Sequence, residues 1–309
     1  MPNLDKPIVQ WTLLICLAFI WGSSFILMKK GLLSFSWSQV ASLRILISAI
    51  FLSPILFKNF RKIKKHQWWR LCIAGLLGSG IPAYLFPLAQ TQISSSLTGM
   101  LNSLVPLFTV VIGLLFFKLG FRWMKIIGVI LGLIGALGLV FSSGNLSLQD
   151  SNIFYAGFVV IATVMYASNI NFIKTFLSDV GAINITSFGF LFTGPFAAIH
   201  LFNTNFMEIM QSGDSANLNL FYIALLAVFG TAIAVILFNM LIKKVSAVFS
   251  SSVTYIIPVF AIFWGVLDGE SIQPLQFLCV GIILTGIYIV NKDNQLERKE
   301  NLQYANAKK

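Results

Sequence analysis

Asn102 and Thr98 stand four residues apart, a spacing that places two side chains on one face of a helix, and Thr109 falls near that face. Four residues after Asn102 comes Pro106. A proline inside a helix has no N–H to give, so the carbonyl four residues back loses its partner. That carbonyl belongs to Asn102. The second half of the chain repeats the device with Ser250, Thr254 and Pro258, where the freed carbonyl is that of Thr254. Asn102 and Thr254 are therefore candidates to hydrogen-bond a polar solute, and Pro106 and Pro258 to break and gate their helices. The plainer alternative for the first two is an interhelical hydrogen bond worth about 0.6 kcal/mol. For the prolines it is a simple packing kink, and their recurrence as a pair favours kinked walls around a cavity.

Other residues fit the same chemistry. Trp21 and Ser24 fall on Tyr166 and Asn169 when the chain is shifted by 145 residues. Aromatic rings beside amides suit an amphipathic organic solute better than a bare ion. Asn171 adds another amide. Tyr84 and Asn239 complete the candidate lining, and a shift of 152 brings Pro87 onto Asn239. Trp68, Trp69 and Trp123 read instead as anchors at a membrane surface. Arg44 is the one charge well inside an apolar run. Such a charge is costly and marks function by default. It also starts only about 7 Å from the end of its run, so it can snorkel to lipid headgroups or meet a carboxylate on another helix or on a solute. No Asp or Glu lies mid-run, which argues against a carboxylate proton relay and leaves facilitated exchange, or coupling to protons or Na⁺ through carbonyls, as alternatives.

Catalysis lacks its parts. The histidines are His66, in a basic loop, and His200, at the end of a run. No HExxH, GxSxG or phosphate loop is present. The expectation is a protein that is not an enzyme and uses no metal or cofactor. Cys16, Cys72 and Cys279 each sit in an apolar run and read as three buried thiols packed as small apolar groups.

The elements that must position these residues follow from composition. Of 309 residues, 57% are hydrophobic and 10% charged, and mean hydropathy is +0.87. A soluble domain carries about 25% charged residues, so lipid is the expected solvent. Runs of roughly 20 apolar residues, the length that spans a bilayer, occur at about Ile8–Met28, Gln39–Phe57, Trp69–Ala89, Ser95–Phe117, Met124–Phe141, Ile153–Ile173, Ala182–Leu201, Leu220–Ile242, Ser246–Leu267 and Gln273–Asn291. The first run is too long for a cleaved signal and is read as a span. With the N-terminus in the cytoplasm, eighteen Lys and Arg fall on the inner side and two, Lys29 and Lys30, on the outer. That bias places both termini in the cytoplasm of a multi-pass cell-membrane protein. It also explains the net charge of +11 without invoking nucleic acid.

The halves resemble each other. A shift of 152 puts Pro106 on Pro258 and Gly78 on Gly230; a shift of 145 puts Lys29 on Lys174. Five spans per half is an odd number, so the second copy starts on the opposite side and the repeats are inverted, as recurs in secondary transporters. The expected fold is an all-α integral membrane protein of ten transmembrane helices in two inverted five-helix repeats, over 1–147 and 148–291, with a cytoplasmic tail over 292–309. Gly128, Gly132, Gly135 and Gly138 follow one face of the fifth run and allow close packing within the fold or between two copies in a homodimer.

On these residues the chain resembles the drug/metabolite transporter superfamily, specifically EamA-type permeases. The resemblance is carried by Trp21-Gly22-Ser23-Ser24-Phe25, Arg44 with Pro54, the stretch from Ser94 to Pro106, the glycine-rich helix from Gly128 to Gly138, the stretch from Ser246 to Pro258, and Gly269-Glu270. It covers nearly the whole chain. One departure is Leu119-Gly120, beside Lys118, where such permeases often carry Gly-Glu after the fourth span. The resemblance implies a ten-helix inverted-repeat fold around a central cavity, often used for efflux of amino acids or other metabolites. The resulting expectation is a secondary transporter that exports a small organic solute such as an amino acid by alternating access. Its rivals are an intramembrane enzyme and a non-transporting membrane scaffold.

Overall fold

The structure, a computed structural model, describes residues 6–117, 123–142, 151–211, 214–245, 247–286, 288, 289 and 292. The tail over 293–309 and the Leu119-Gly120 departure with Lys118 lie outside the described residues. Among the described residues every regular element is helical. In chain order the first four helices are α1 (Ile8–Gly31), α2 (Trp37–Lys62), α3 (Lys65–Gln90) and α4 (Ser95–Phe116). Next comes α5 (Trp123–Ser142), apolar over Ile126–Leu139. Then follow α6 (Ile153–Phe176), α7 (Ala182–Phe202), α8 (Ser215–Lys244), α9 (Phe249–Leu267) and the shorter α10 (Pro274–Gly286). Eight of these, all but α5 and α10, are long and apolar enough to cross a membrane. Lipid offers no partners to backbone N–H and C=O groups, so a spanning segment satisfies them within itself by becoming helical.

Local chemistry sets the boundaries. Ser36 accepts from the Gln39 N–H and Gln39 returns a bond to the Ser36 N–H, a reciprocal cap that starts α2. Ser94 Oγ caps α4 by accepting from the Leu97 N–H. Gly269, at φ 83°, makes the left-handed turn after α9 that few residues other than glycine adopt.

Four helices are irregular. A wide π turn interrupts α3 over Leu76–Gly80, and another interrupts α8 over Leu226–Ile233. A tight 3₁₀ stretch occupies Asn102–Leu104 in α4 and Ser252–Tyr255 in α9. These tight stretches end just before Pro106 and Pro258, which are buried early in the helical segments that follow. Moved by 152 residues, the wide turn of α3 falls inside that of α8.

Helices of the first half pack mainly on helices of the second. Helix α1 lies against α8 and α9, and α6 lies against α3 and α4. Helix α2 packs on α7 and α8, α7 packs on α3, and α4 packs on α9. Two ends can be told apart. One is basic: Gln67 donates to Asp179 at 2.7 Å, Arg70 donates to the Phe176 carbonyl, and Lys174 and Lys243 donate to backbone carbonyls at Ile242, Val245 and Val180. At the other end Lys29 pairs with Asp268 at 2.7 Å and Glu270 at 2.8 Å, and Lys30 pairs with Asp268.

The glycine stripe of α5 is used inside the chain. A Cβ on Gly135 would meet the Cys279 carbonyl at 2.8 Å, one on Gly138 the Cys279 sulfur at 2.6 Å, and one on Gly132 the Leu107 side chain at 3.0 Å. Helix α10 and α4 thus occupy that face. The reading of three buried thiols holds for Cys279 alone: Cys72 is half-buried and Cys16 is exposed. Cys16 lies on an outer stripe of α1 with the exposed Trp11, Ile15 and Phe19, a face that an apolar run cannot distinguish from its buried one.

Candidate functional site

A cavity of about 90 Å³ lies between the two halves. Helices α1, α3 and α4 of the first half face α6, α8 and α9 of the second across it, and α2 contributes Arg44.

The walls are built by paired contacts between halves. The Trp21 ring meets Phe238 edge-on, centroids 4.9 Å apart, and Tyr166 stacks on Phe86 at 5.7 Å. Trp21 Nε1 also donates to the Gly230 carbonyl at 3.0 Å, inside the wide turn of α8. A Cβ on Gly230 would stand 2.6 Å from Ser24 Oγ, so a larger residue there would force Ser24 to shift. Gly78 does the same for Asn169, whose amide nitrogen fills the space a Cβ would take. Each wide turn thus brings backbone close to a polar residue of the opposite half.

Seven of the eight residues read from the sequence as cavity lining stand on the cavity wall: Trp21, Ser24, Asn102, Tyr166, Asn169, Asn239 and Thr254. Asn102 and Asn169 each present a buried Oδ1 without a hydrogen-bond partner. Asn239 donates to Thr186 Oγ1 at 3.0 Å, and the Thr254 hydroxyl donates to the Ser251 carbonyl at 2.9 Å. Tyr84 is the exception and corrects the sequence reading. Its hydroxyl bonds Ser42 at 2.9 Å and its ring packs near Trp37 and His200. It stands two residues from Phe86, about 200° around an α-helix, so when Phe86 faces the cavity Tyr84 faces away. Pro106 and Pro258 are buried and are not among the wall residues. Asn171 ties α6 to α4 through the Thr109 carbonyl at 2.9 Å.

Arg44 does not reach an outer surface. It is 7% exposed, it lines the cavity, and its Nε donates to Thr231 Oγ1 at 2.6 Å. The Tyr166 hydroxyl lies beside its guanidinium. Phe86 and Phe238, which the sequence reading passed over, are related by the same shift of 152 that pairs Gly78 with Gly230. That offset was the signal that points to them.

Apolar helices meeting around a polar-and-aromatic cavity define a multi-pass membrane protein with a cavity between its halves. The EamA-like transporter family model matches residues 10–141 and again residues 153–292. The chain belongs to the EamA-like transporter family. An uncharacterized transporter of Archaeoglobus fulgidus is 25% identical over 282 residues, covering 91% of this chain and 98% of that one. The uncharacterized inner membrane transporter YedA of Escherichia coli is 25% identical over 285 residues, covering 90% of this chain and 89% of that one. A protein of known crystal structure superposes with TM-score 0.67 at 14% identity over 94% of this chain and 99% of its own, a likeness of fold alone.

Proposed function

We propose that this protein is a secondary transporter that exports a small organic solute, such as an amino acid, across the cell membrane by alternating access, with no part as an enzyme. The observation that carries this reading is the cavity itself, bounded by matching helices of two halves and walled by helices with wide or tight turns. Irregular backbone at membrane depth is tolerated where it lines a cavity. The reading includes ten spans, with α5 and α10 crossing as well, in inverted repeats over 1–147 and 148–291 and a cytoplasmic tail over 292–309. The packing supports it. Exchanging α1 with α6, α2 with α7, α3 with α8 and α4 with α9 turns the contacts of α1 with α8 and α9 into those of α6 with α3 and α4. The excess of Lys and Arg at one end favours a cytoplasmic basic end with both termini there. Both of these relatives are named as transporters, which favours transport over catalysis.

The test is uptake and counterflow in proteoliposomes with a pool of labelled amino acids and related metabolites. Wild type accumulates at least one member, and Asn102→Leu combined with Thr254→Val lowers that flux at least about tenfold, the loss of roughly one well-made hydrogen bond to the solute. No flux from folded wild-type protein for any member overturns the proposal. Tyr84→Phe is the companion variant. It loses one hydrogen bond, costs about 0.5–1.5 kcal/mol of stability read by thermal unfolding, and keeps wild-type flux, because Tyr84 stands outside the cavity.

A further inference from the structure

Arg44 is an intramembrane cation lacking a counter-ion among the described residues. The ion pairs found there involve Lys29 and Lys30 with Asp268 and Glu270, all at one end of the molecule. Arg44 instead contacts two neutral hydroxyls, those of Thr231 and Tyr166. A guanidinium stays charged at any ordinary pH, and a charge held in a low-dielectric site is costly unless something of opposite sign meets it. Arg44 lines the cavity.

A second, separate observation lies in the same cavity. Asn102 Oδ1 and Asn169 Oδ1 are buried acceptors with no donor. They mark where a donor group of a solute fits. The same wall carries the rings of Trp21, Phe25, Phe86 and Phe238.

We propose that the solute is recognised through a single carboxylate seated on Arg44, with a donor group such as an ammonium or hydroxyl turned toward Asn102 and Asn169 and an apolar body against the aromatic wall. This rests on the transport reading for what happens after binding. The one positive charge matches one carboxylate; a dicarboxylate or a phosphate dianion would carry an unpaired negative charge into the cavity and be rejected. Arg44 also presents the planar fork that a carboxylate accepts in two places. Its place in the second half, offset by 145 residues, is taken by Gly189, so the cavity has one anion seat and a solute enters it in one orientation.

The experiment uses the purified full chain in detergent and three matched pairs of probes: phenylacetate with phenylacetamide, L-phenylalanine with its amide, and L-methionine with its amide. Thermal unfolding against probe concentration gives apparent affinities for wild type, Arg44→Lys and Arg44→Gln. The expected result is that at least one acid stabilises wild type and binds about tenfold or more tightly than its amide. Arg44→Gln then loses the difference and Arg44→Lys keeps part of it. If Arg44→Gln does not fold, the wild-type acid-against-amide comparison and Arg44→Lys decide. Equal binding of acid and amide, retention of the acid preference in Arg44→Gln, or no stabilisation by any acid overturns the proposal. Acid-dependent stabilisation without proteoliposome flux overturns the transport reading and upholds this one; flux without acid preference does the reverse.

Discussion

Gly75→Ala lowers the stability of the protein by about 1–3 kcal/mol, the usual cost of overpacking a close-packed interior, whereas Gly157→Ala leaves it unchanged or raises it by up to about 1 kcal/mol. Both glycines lie inside helices, so intrinsic propensity favours alanine equally at each. Space decides between them. A Cβ at Gly75 would stand 2.6 Å from the Cα and 2.6 Å from the carbonyl oxygen of Gly189, where α3 meets α7. These are backbone atoms of a second helix and cannot rotate away, so the two helices must separate. A Cβ at Gly157 meets nothing within 4 Å. Gly189→Ala is intermediate, since its Cβ would find only the Gly75 Cα at 3.0 Å and the Gly75 nitrogen at 3.6 Å. Thermal unfolding in one detergent ranks the three variants. A destabilised Gly157→Ala, or an unaffected Gly75→Ala, removes the α3–α7 backbone contact as the cause.

The second large effect is at the ion cluster. Glu270 accepts from the Ser95 N–H at 3.0 Å, the Ser95 hydroxyl at 2.7 Å, the Ser96 N–H at 3.0 Å and the Ser96 hydroxyl, while Lys29 pairs with it at 2.8 Å. It thereby joins the turn after α9 to the start of α4 and the end of α1. Burial pushes its carboxyl up, but the bonds from Lys29, Ser96 and Ser95 outweigh burial and hold it below the usual glutamate value. At Asp268 burial likewise acts upward and is outweighed by Lys29 and Lys30. Folded-state values below the unfolded ones mean that the folded protein binds these protons less readily. The stabilisation is therefore complete above the ordinary carboxylate range and is lost as pH falls through the lowered values. The melting temperature in detergent is expected to stay level from pH 7 down to about 4.5 and then to drop. Glu270→Gln removes the charge at every pH and costs about 1.5–3 kcal/mol, the range for a hydrogen bond to a charged group, at pH 7. The gap between variant and wild type narrows as pH falls toward 3. A gap of the same size at pH 7 and pH 3 would falsify the electrostatic account of this cluster.

The helices were legible because a membrane segment must be apolar along its whole length, and such runs stand out from connections such as Asp268 to Gln273. The paired site residues were legible through two offsets, which link Trp21 to Tyr166 and Asn102 to Thr254. Phe86 and Phe238 obey the same offset and were passed over, since an aromatic residue in an apolar run carries no contrast. Tyr84 was placed on the wrong face for a related reason: without polar alternation, periodicity cannot fix which side of α3 faces inward. The wide turns were invisible because they depend on which carbonyl each N–H selects, and Gly, Ser, Thr and Ala are ordinary in membrane helices. The burial of Arg44 could not be read either, because its partner Thr231 lies 187 residues away and nothing local announces it.

The cross-packing of the halves also sets a timetable for synthesis. Trp21 must find the Gly230 carbonyl, 209 residues further along. At roughly 5–20 residues per second of translation, α1 waits about 10–40 s in the bilayer before α8 emerges. During that time its inward face, with Trp21 and Ser24, has lipid, translocation machinery or earlier helices for company. The mean hydropathy of 2.0 in α1 keeps it inserted through the delay. A chain severed between α5 and α6 would leave each fragment with most of its packing surface unpaired, so the two pieces reach the native arrangement only when made together in one membrane.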